Sequence, residues 1–282
     1  MSAHIAGTAY RVPGSGPLLD DLLASRPRSA GRFLACDEPI RPEVIGAGAW
    51  RRMSRLGRLV TQVSAPLLAG RVDLDTLAVV WGTVFGELGP TGRFLDRLFT
   101  EGVASPLAFQ NSVYNAPVGH LSNALDLRGM SETLSAGGAT GLAALARGID
   151  LIALGRASSV LVVAGDVLSP GVRRSWDLLG VEGPLGEAVA AVLLHDGEGP
   201  EVCVETQVPD EAHGPLFARA RALPIEEPLR KIAGAIPPED CLGLMPTMGL
   251  VAVAALIEAG QTGRVVEQDG TTSLVARVVS RG

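Results

Sequence analysis

Apolar positions in this chain recur at two spacings, and each predicts a kind of element. Residues 3–12 read as a first strand ending at Pro13-Gly14. In residues 49–65, Met53, Leu56, Val60 and Val63 recur at helical spacing, which predicts a helix stopped by Pro66. Arg51, Arg55 and Arg58 fall on another face of that helix and read as a solvated stripe. Residues 77–82 (Leu-Ala-Val-Val-Trp-Gly) and 188–195 (Ala-Val-Ala-Ala-Val-Leu-Leu-His) are unbroken apolar runs, the pattern of strands covered on both faces. Residues 91–99 predict an amphipathic helix stopped at Gly102, residues 249–259 an apolar helix, and residues 272–279 a last strand. A polar, Pro- and Arg-rich passage separates the first strand from the first helix, and no internal repeat is visible.

Composition narrows the class. Of 282 residues, 47% are hydrophobic and only 4% aromatic, so small aliphatic side chains must fill a large core. Alternating strand and helix patterns with Gly-rich turns predict layered α/β packing. The net charge of −6 argues against nucleic acid as a partner. Cys36, Cys203 and Cys241 have no metal-like spacing, and an odd count supports no disulfide framework. A reducing cytoplasm is the expected location. No secretory signal opens the sequence, and no apolar run reaches the eighteen or so residues of a membrane span.

The chemistry-bearing stretch is residues 105–169. It reads Ser105-Pro106, then Phe109-Gln110-Asn111-Ser112-Val113-Tyr114-Asn115, then Ser131-Glu132-Thr133-Leu134-Ser135-Ala136-Gly137-Gly138-Ala139-Thr140-Gly141, and finally Ser158-Ser159 leading into Val160–Asp166. This order resembles the β-ketoacyl synthase branch of the thiolase-like proteins. The resemblance implies an α/β, thiolase-like layered α-β-α-β-α fold of two βαβ-rich halves. Residues 1–195 would form the N-terminal half and residues 196–282 a truncated C-terminal half. Gly186-Glu187 stands where the family has a Gly-Glu-Gly turn.

In that family a cysteine sits at the strand-to-helix elbow, seventeen positions before a helix-ending glycine. Counting from Gly155, that slot here is Gly138. A cysteine at a helix N-terminus has a lowered pKa, and its own N–H helps form an oxyanion hole. Glycine keeps the N–H and offers no nucleophile. The family's final histidine slot, in a Gly-His-x-x-Gly element, aligns with Pro246, which has no polar side-chain group. Glu211-Ala212-His213-Gly214 lacks the trailing Thr-Gly-Thr of the other histidine motif and reads as a chance match. His4, His120 and His195 read as a frayed terminus, a helix position and a strand end. Ser135 and Cys241 are the remaining candidate nucleophiles, neither with a base nearby in sequence.

A chain of this kind looks like a chain length factor, the inactive partner of a ketosynthase in type II polyketide systems, and resembles the compact ones of aryl-polyene-like pathways. The resemblance implies a ketosynthase subunit as heterodimer partner and an acyl carrier protein that delivers the chain. It implies no cofactor, no metal and no membrane. Leu88, Thr91, Phe94 and Leu95 would line the acyl tunnel, with Leu88 reaching it from a loop before the Gly89-Pro90 break. Phe109, Val113, Tyr114, Asn115, Glu132, Thr133, Leu134 and Ser135 would form the dimer interface. The alternatives are a superfamily acyltransferase or hydrolase with a relocated nucleophile, and a stand-alone acyl-binding protein.

Overall fold

The computed structural model describes residues 1–14, 18–19, 31–178, 185–207, 221–223, 248–269 and 272–280. Pro246, Cys241 and His213 lie outside the described residues. In chain order the strands are β1 (Ser2–Arg11), β2 (Phe33–Leu34), β3 (Ala78–Gly82), β4 (Ser131–Leu134), β5 (Ser159–Asp166), β6 (Leu185–Gly186), β7 (Ala188–His195), β8 (Glu201–Gln207), β9 (Arg221–Leu223), β10 (Gly263–Asp269) and β11 (Thr272–Val279). The helices are α1 (Ala47–Arg52), α2 (Arg55–Leu68), α3 (Leu88–Glu101), α4 (Pro106–Gln110), α5 (Ala116–Leu125), α6 (Thr140–Ala153), α7 (Pro170–Leu178) and α8 (Met248–Glu258).

Among the described residues, nine strands make one sheet in the order β4-β3-β5-β7-β1-β8-β11-β10-β9, and β2 pairs with β6 apart from it. β3 is parallel to β4 and β5, while β7 runs antiparallel to both β5 and β1. The unbroken apolar runs are the central strands, as their pattern predicts. All eight residues of β5 are buried. Leu161 and Val163 face one side with Leu56, Leu59, Val60 and Val63 of α2 and Val118 and Leu121 of α5. Val160, Val162 and Ala164 face the other, with Leu142, Leu145 and Ile149 of α6 and Leu250, Val251 and Val253 of α8. The two-residue period of a strand sends alternate side chains to opposite layers. α6 and α8 touch each other and strands of both sheet halves, so they form a central helical layer. This is the thiolase-like α/β arrangement.

Three local expectations are corrected. The predicted single helix at 49–65 is two, because Ser54 caps the second: its Oγ accepts from the Gly57 N–H at 2.9 Å. Pro66 lies inside the last turn of α2 rather than ending it. Gly89-Pro90 is not a break, since α3 begins at Leu88 and carries both residues in its first turn, where proline's missing N–H costs nothing. His4 is not frayed: it lies in β1 opposite His195, with Nδ1 3.1 Å from the Gly199 carbonyl.

Candidate functional site

The C-terminal ends of β3, β4 and β5 point the same way, and the loops that leave them build one site. After β4 the chain turns through a short 3₁₀ segment, Gly137–Ala139, directly into α6. Gly137 takes the left-handed backbone conformation (φ 52°), which glycine adopts without steric cost. Thr140 fastens the turn: its hydroxyl donates to the Gly137 carbonyl at 2.6 Å and accepts from the Ala136 N–H at 3.0 Å. Gly138 is buried at the corner. The tight turn and buried corner of a nucleophile elbow are present, with no side chain at the corner.

Carboxylates buried behind this face set its shape. Asp166, at the end of β5, accepts from Thr83 Oγ1 (2.7 Å) and from the backbone N–H groups of Val84 (3.2 Å) and Phe85 (2.8 Å). It thereby holds the loop that leaves β3, and burial pushes its carboxyl up to about 6. Glu87 ends that loop, receives the Ser54 hydroxyl, and is pushed by burial up to about 7. It lines a cavity of about 140 Å³ with Ser54, Arg55, Arg93 and Ser169. Glu187 accepts from the Cys36 N–H (3.0 Å), the Leu168 N–H (3.1 Å) and the Arg55 guanidinium (2.8 Å). Arg55 is therefore no solvated position, which corrects its assignment to the exposed stripe. A helical face read from one segment cannot reveal a carboxylate 132 positions away.

Glu267 is a buried carboxyl beside the elbow helix that sequence reasoning missed. It is 1% exposed on β10, and its two oxygens accept from the Leu142 N–H of α6 (2.6 Å) and the Gly249 N–H of α8 (2.5 Å). The one signal for it was negative: neither Ala139 nor any neighbour supplies a side-chain cap for α6.

The remaining candidates fall at the following places. Ser135 lies one residue beyond β4, exposed, with no hydrogen bond to a base among the described residues. Burial pushes the Cys36 thiol up to about 12 and raises that of Cys203, so neither supplies a thiolate near neutral pH. His4 and His195 sit at the opposite end of the sheet from the elbow, and His120 on α5 bonds Asn111 at 2.6 Å. No group of three potential metal ligands occurs among the described residues, and no described helix is long and apolar enough to cross a membrane.

Among the described residues β4 is the outermost strand, and none of them pairs with its far edge. The Val79 and Thr83 N–H groups bond the Met130 and Leu134 carbonyls. Backbone groups alternate in direction along a strand, so those of Ser131, Thr133 and Ser135 point to the open side. Glu132 is tied back to its own chain by both oxygens on Arg147 (2.6 and 2.7 Å), and that guanidinium holds its carboxyl below the usual range. Leu134 is half-buried and packs on the core.

The Tyr114 hydroxyl donates to the Val84 carbonyl (2.9 Å) and its carbonyl accepts from Trp81 Nε1 (2.9 Å), so the Val113-Tyr114-Asn115 segment rests on the loop after β3. α3 is amphipathic, yet none of its residues is buried. Phe94 packs on Phe109 with ring centroids 5.6 Å apart, while Leu95, Phe99 (81% exposed), Leu107 and Phe109 face outward. Leu88 packs beside Gly171, and the Thr91 hydroxyl bonds the Glu87 (2.8 Å) and Ser112 (3.0 Å) carbonyls.

Comparison with known proteins agrees with this arrangement. No curated protein matches the chain by sequence. The chain superposes on one chain of the complex of a ketosynthase with its chain length factor from Xenorhabdus doucetiae (TM-score 0.68, 18% identity, 98% of this chain and 99% of that one). It superposes similarly on the ishigamide ketosynthase/chain length factor (TM-score 0.73, 19% identity, 100% and 99%). A type II polyketide acyl-carrier protein in complex with its hexaketide-bound ketosynthase also matches (TM-score 0.78, 11% identity, 99% of each chain). At these identities the likeness is one of fold. The family described as "Beta-ketoacyl synthase, N-terminal domain" matches residues 30–224, most of the chain, and with the elbow geometry this places the protein in the β-ketoacyl synthase family.

Proposed function

We propose that this chain is a non-catalytic chain length factor: it pairs with a ketosynthase that supplies the thiol and histidines, and it shapes the tunnel that limits acyl length. The observation that carries this reading is Gly138, buried at the corner of an otherwise intact elbow. A condensing enzyme must hold its acyl chain as a thioester, and glycine cannot form one. The open edge of β4 and the uncovered apolar side chains of α3 and α4 support a large partner surface, since obligate interfaces are extensive and apolar. On this reading an acyl carrier protein delivers the chain to the pair, and residues 1–195 and 196–282 are the two halves of the fold.

The test is reconstitution. The purified chain should show no condensation with malonyl and acyl carrier substrates, and elongation should appear when a cysteine-bearing ketosynthase partner is added. Condensation or acyl hydrolysis by the single chain would overturn the reading in favour of a relocated nucleophile such as Ser135.

A further inference from the structure

We propose that Glu267 is a built-in occupant of the vestigial active site: it takes up the positive ends of the two central helices, so the elbow is disabled by more than its missing thiol. This rests on reading Gly138 as the former nucleophile position. The first turn of a helix leaves N–H groups without partners, and the summed peptide dipoles make that end attractive to negative charge. At an active elbow this end favours a thiolate. Here α6 has no local cap, and a carboxyl from β10, 125 positions away, fills the role. One oxygen faces the Leu142 N–H, one turn beyond Gly138, and the other faces the Gly249 N–H at the start of α8.

The fit depends on residue 249 having no side chain, because a Cβ there would overlap the Glu267 carboxyl. Among the described residues no ion pair reaches Glu267. Arg147 of α6 is turned to Glu132, and Glu258 of α8 to Tyr10. Arg264, three positions earlier on β10, falls on the other face of the strand, and Arg277 of β11 is exposed. The carboxyl is thus held by backbone donors from two helices, the kind of donor that binds an external anion at a helix N-terminus.

The consequence is measurable in the full-length chain. Gly138→Cys alone is expected to give a thiol titrating at or above the ordinary cysteine value of about 8.5. Adding Glu267→Gln, which keeps the shape and removes the charge that Glu267 carries above about pH 8, is expected to lower that pKa by about one unit, read as a several-fold faster alkylation by iodoacetamide at about pH 8.5. Peptide mass spectrometry separates position 138 from Cys36, Cys203 and Cys241, and thermal melts establish that each variant is folded. Equal thiol pKa values in the two variants overturn the proposal.

A second pair guards against an effect of loosened packing. In Gly138→Cys/Glu267→Ala, added formate should slow alkylation toward the Gly138→Cys rate by entering the vacated space, whereas chloride at equal ionic strength should not. Equal effects of the two salts also overturn the proposal. Condensation by the unmodified chain would end the non-catalytic reading while leaving this thiol comparison valid, so the two failures are distinguishable.

Discussion

The guanidinium of Arg55 grips the carboxylate of Glu187 from the first turn of α2, with Nε at 3.1 and 3.2 Å from the two oxygens and one terminal nitrogen at 2.8 Å. The same guanidinium donates to the Cys36 carbonyl (2.6 Å) and pairs with Glu38 (2.9 Å). One side chain thereby joins the helix over the sheet, the loop before it and the start of β7. Glu187 is almost wholly buried, so removing its partner would leave an uncompensated charge. Arg55→Ala is expected to lower stability by about 3 kcal/mol, and Arg55→Lys to recover only part, because lysine lacks the planar fork. Urea unfolding of the three proteins checks this.

Partner binding can be tested at the open edge without touching the core. Thr133 is exposed and its backbone groups point away from β3, so Thr133→Pro removes one outward N–H and spares the pairing within the chain. Co-purification with the ketosynthase partner is expected to be lost while the thermal melt of the chain stays close to the parent. Leu134→Lys is the less informative change, since Leu134 packs on the core. Unchanged co-elution of the Thr133→Pro chain would argue against this interface.

Product length should respond to side-chain volume at the start of α3. Leu88→Trp and Thr91→Phe are expected to shorten acyl products by one or more extension units, and Leu95→Ala to permit longer ones, with condensation continuing in the reconstituted pair. Thr91→Phe also removes the hydroxyl that joins Glu87 to Ser112, so its melt must be measured beside its products. Mass spectrometry of carrier-bound chains reads the outcome; an unchanged length distribution for all three folded variants would exclude these residues from the tunnel.

Stability should fall as pH rises from mildly acid to mildly alkaline. Asp166, Glu87 and Glu267 ionise in the folded chain near 6, 7 and 8, against ordinary values of 3.8, 4.5 and 4.5, because burial disfavours the charged form. Between the unfolded and folded values the native state holds more protons than the unfolded one. These groups' contribution is therefore fully present below about pH 4 and lost progressively up to about pH 8. Glu87→Gln keeps an acceptor for Ser54 and should flatten the part of the slope between about pH 4.5 and 7, an effect of at most a few kcal/mol. Melting temperatures across that range, parent against variant, measure it.

What the amino-acid sequence determined by itself was local. Unbroken aliphatic runs announced β3 and β7, because a strand covered on both faces needs no polar positions. The succession from Ser131 to Gly155 announced, through its resemblance to the family, a tight turn leading into a helix, since every residue of that motif is near its neighbours in the chain. The tertiary structure decided what depends on distant partners. Arg55 looked like a surface charge until Glu187 met it, and nothing local marked Glu267 before two helix ends converged on it. The direction of Thr133's backbone likewise follows from its pairing with β3, not from its identity. A charge or an N–H acquires its role from the group that compensates it, and for Arg55 and for the Leu142 N–H that group lies more than a hundred positions away.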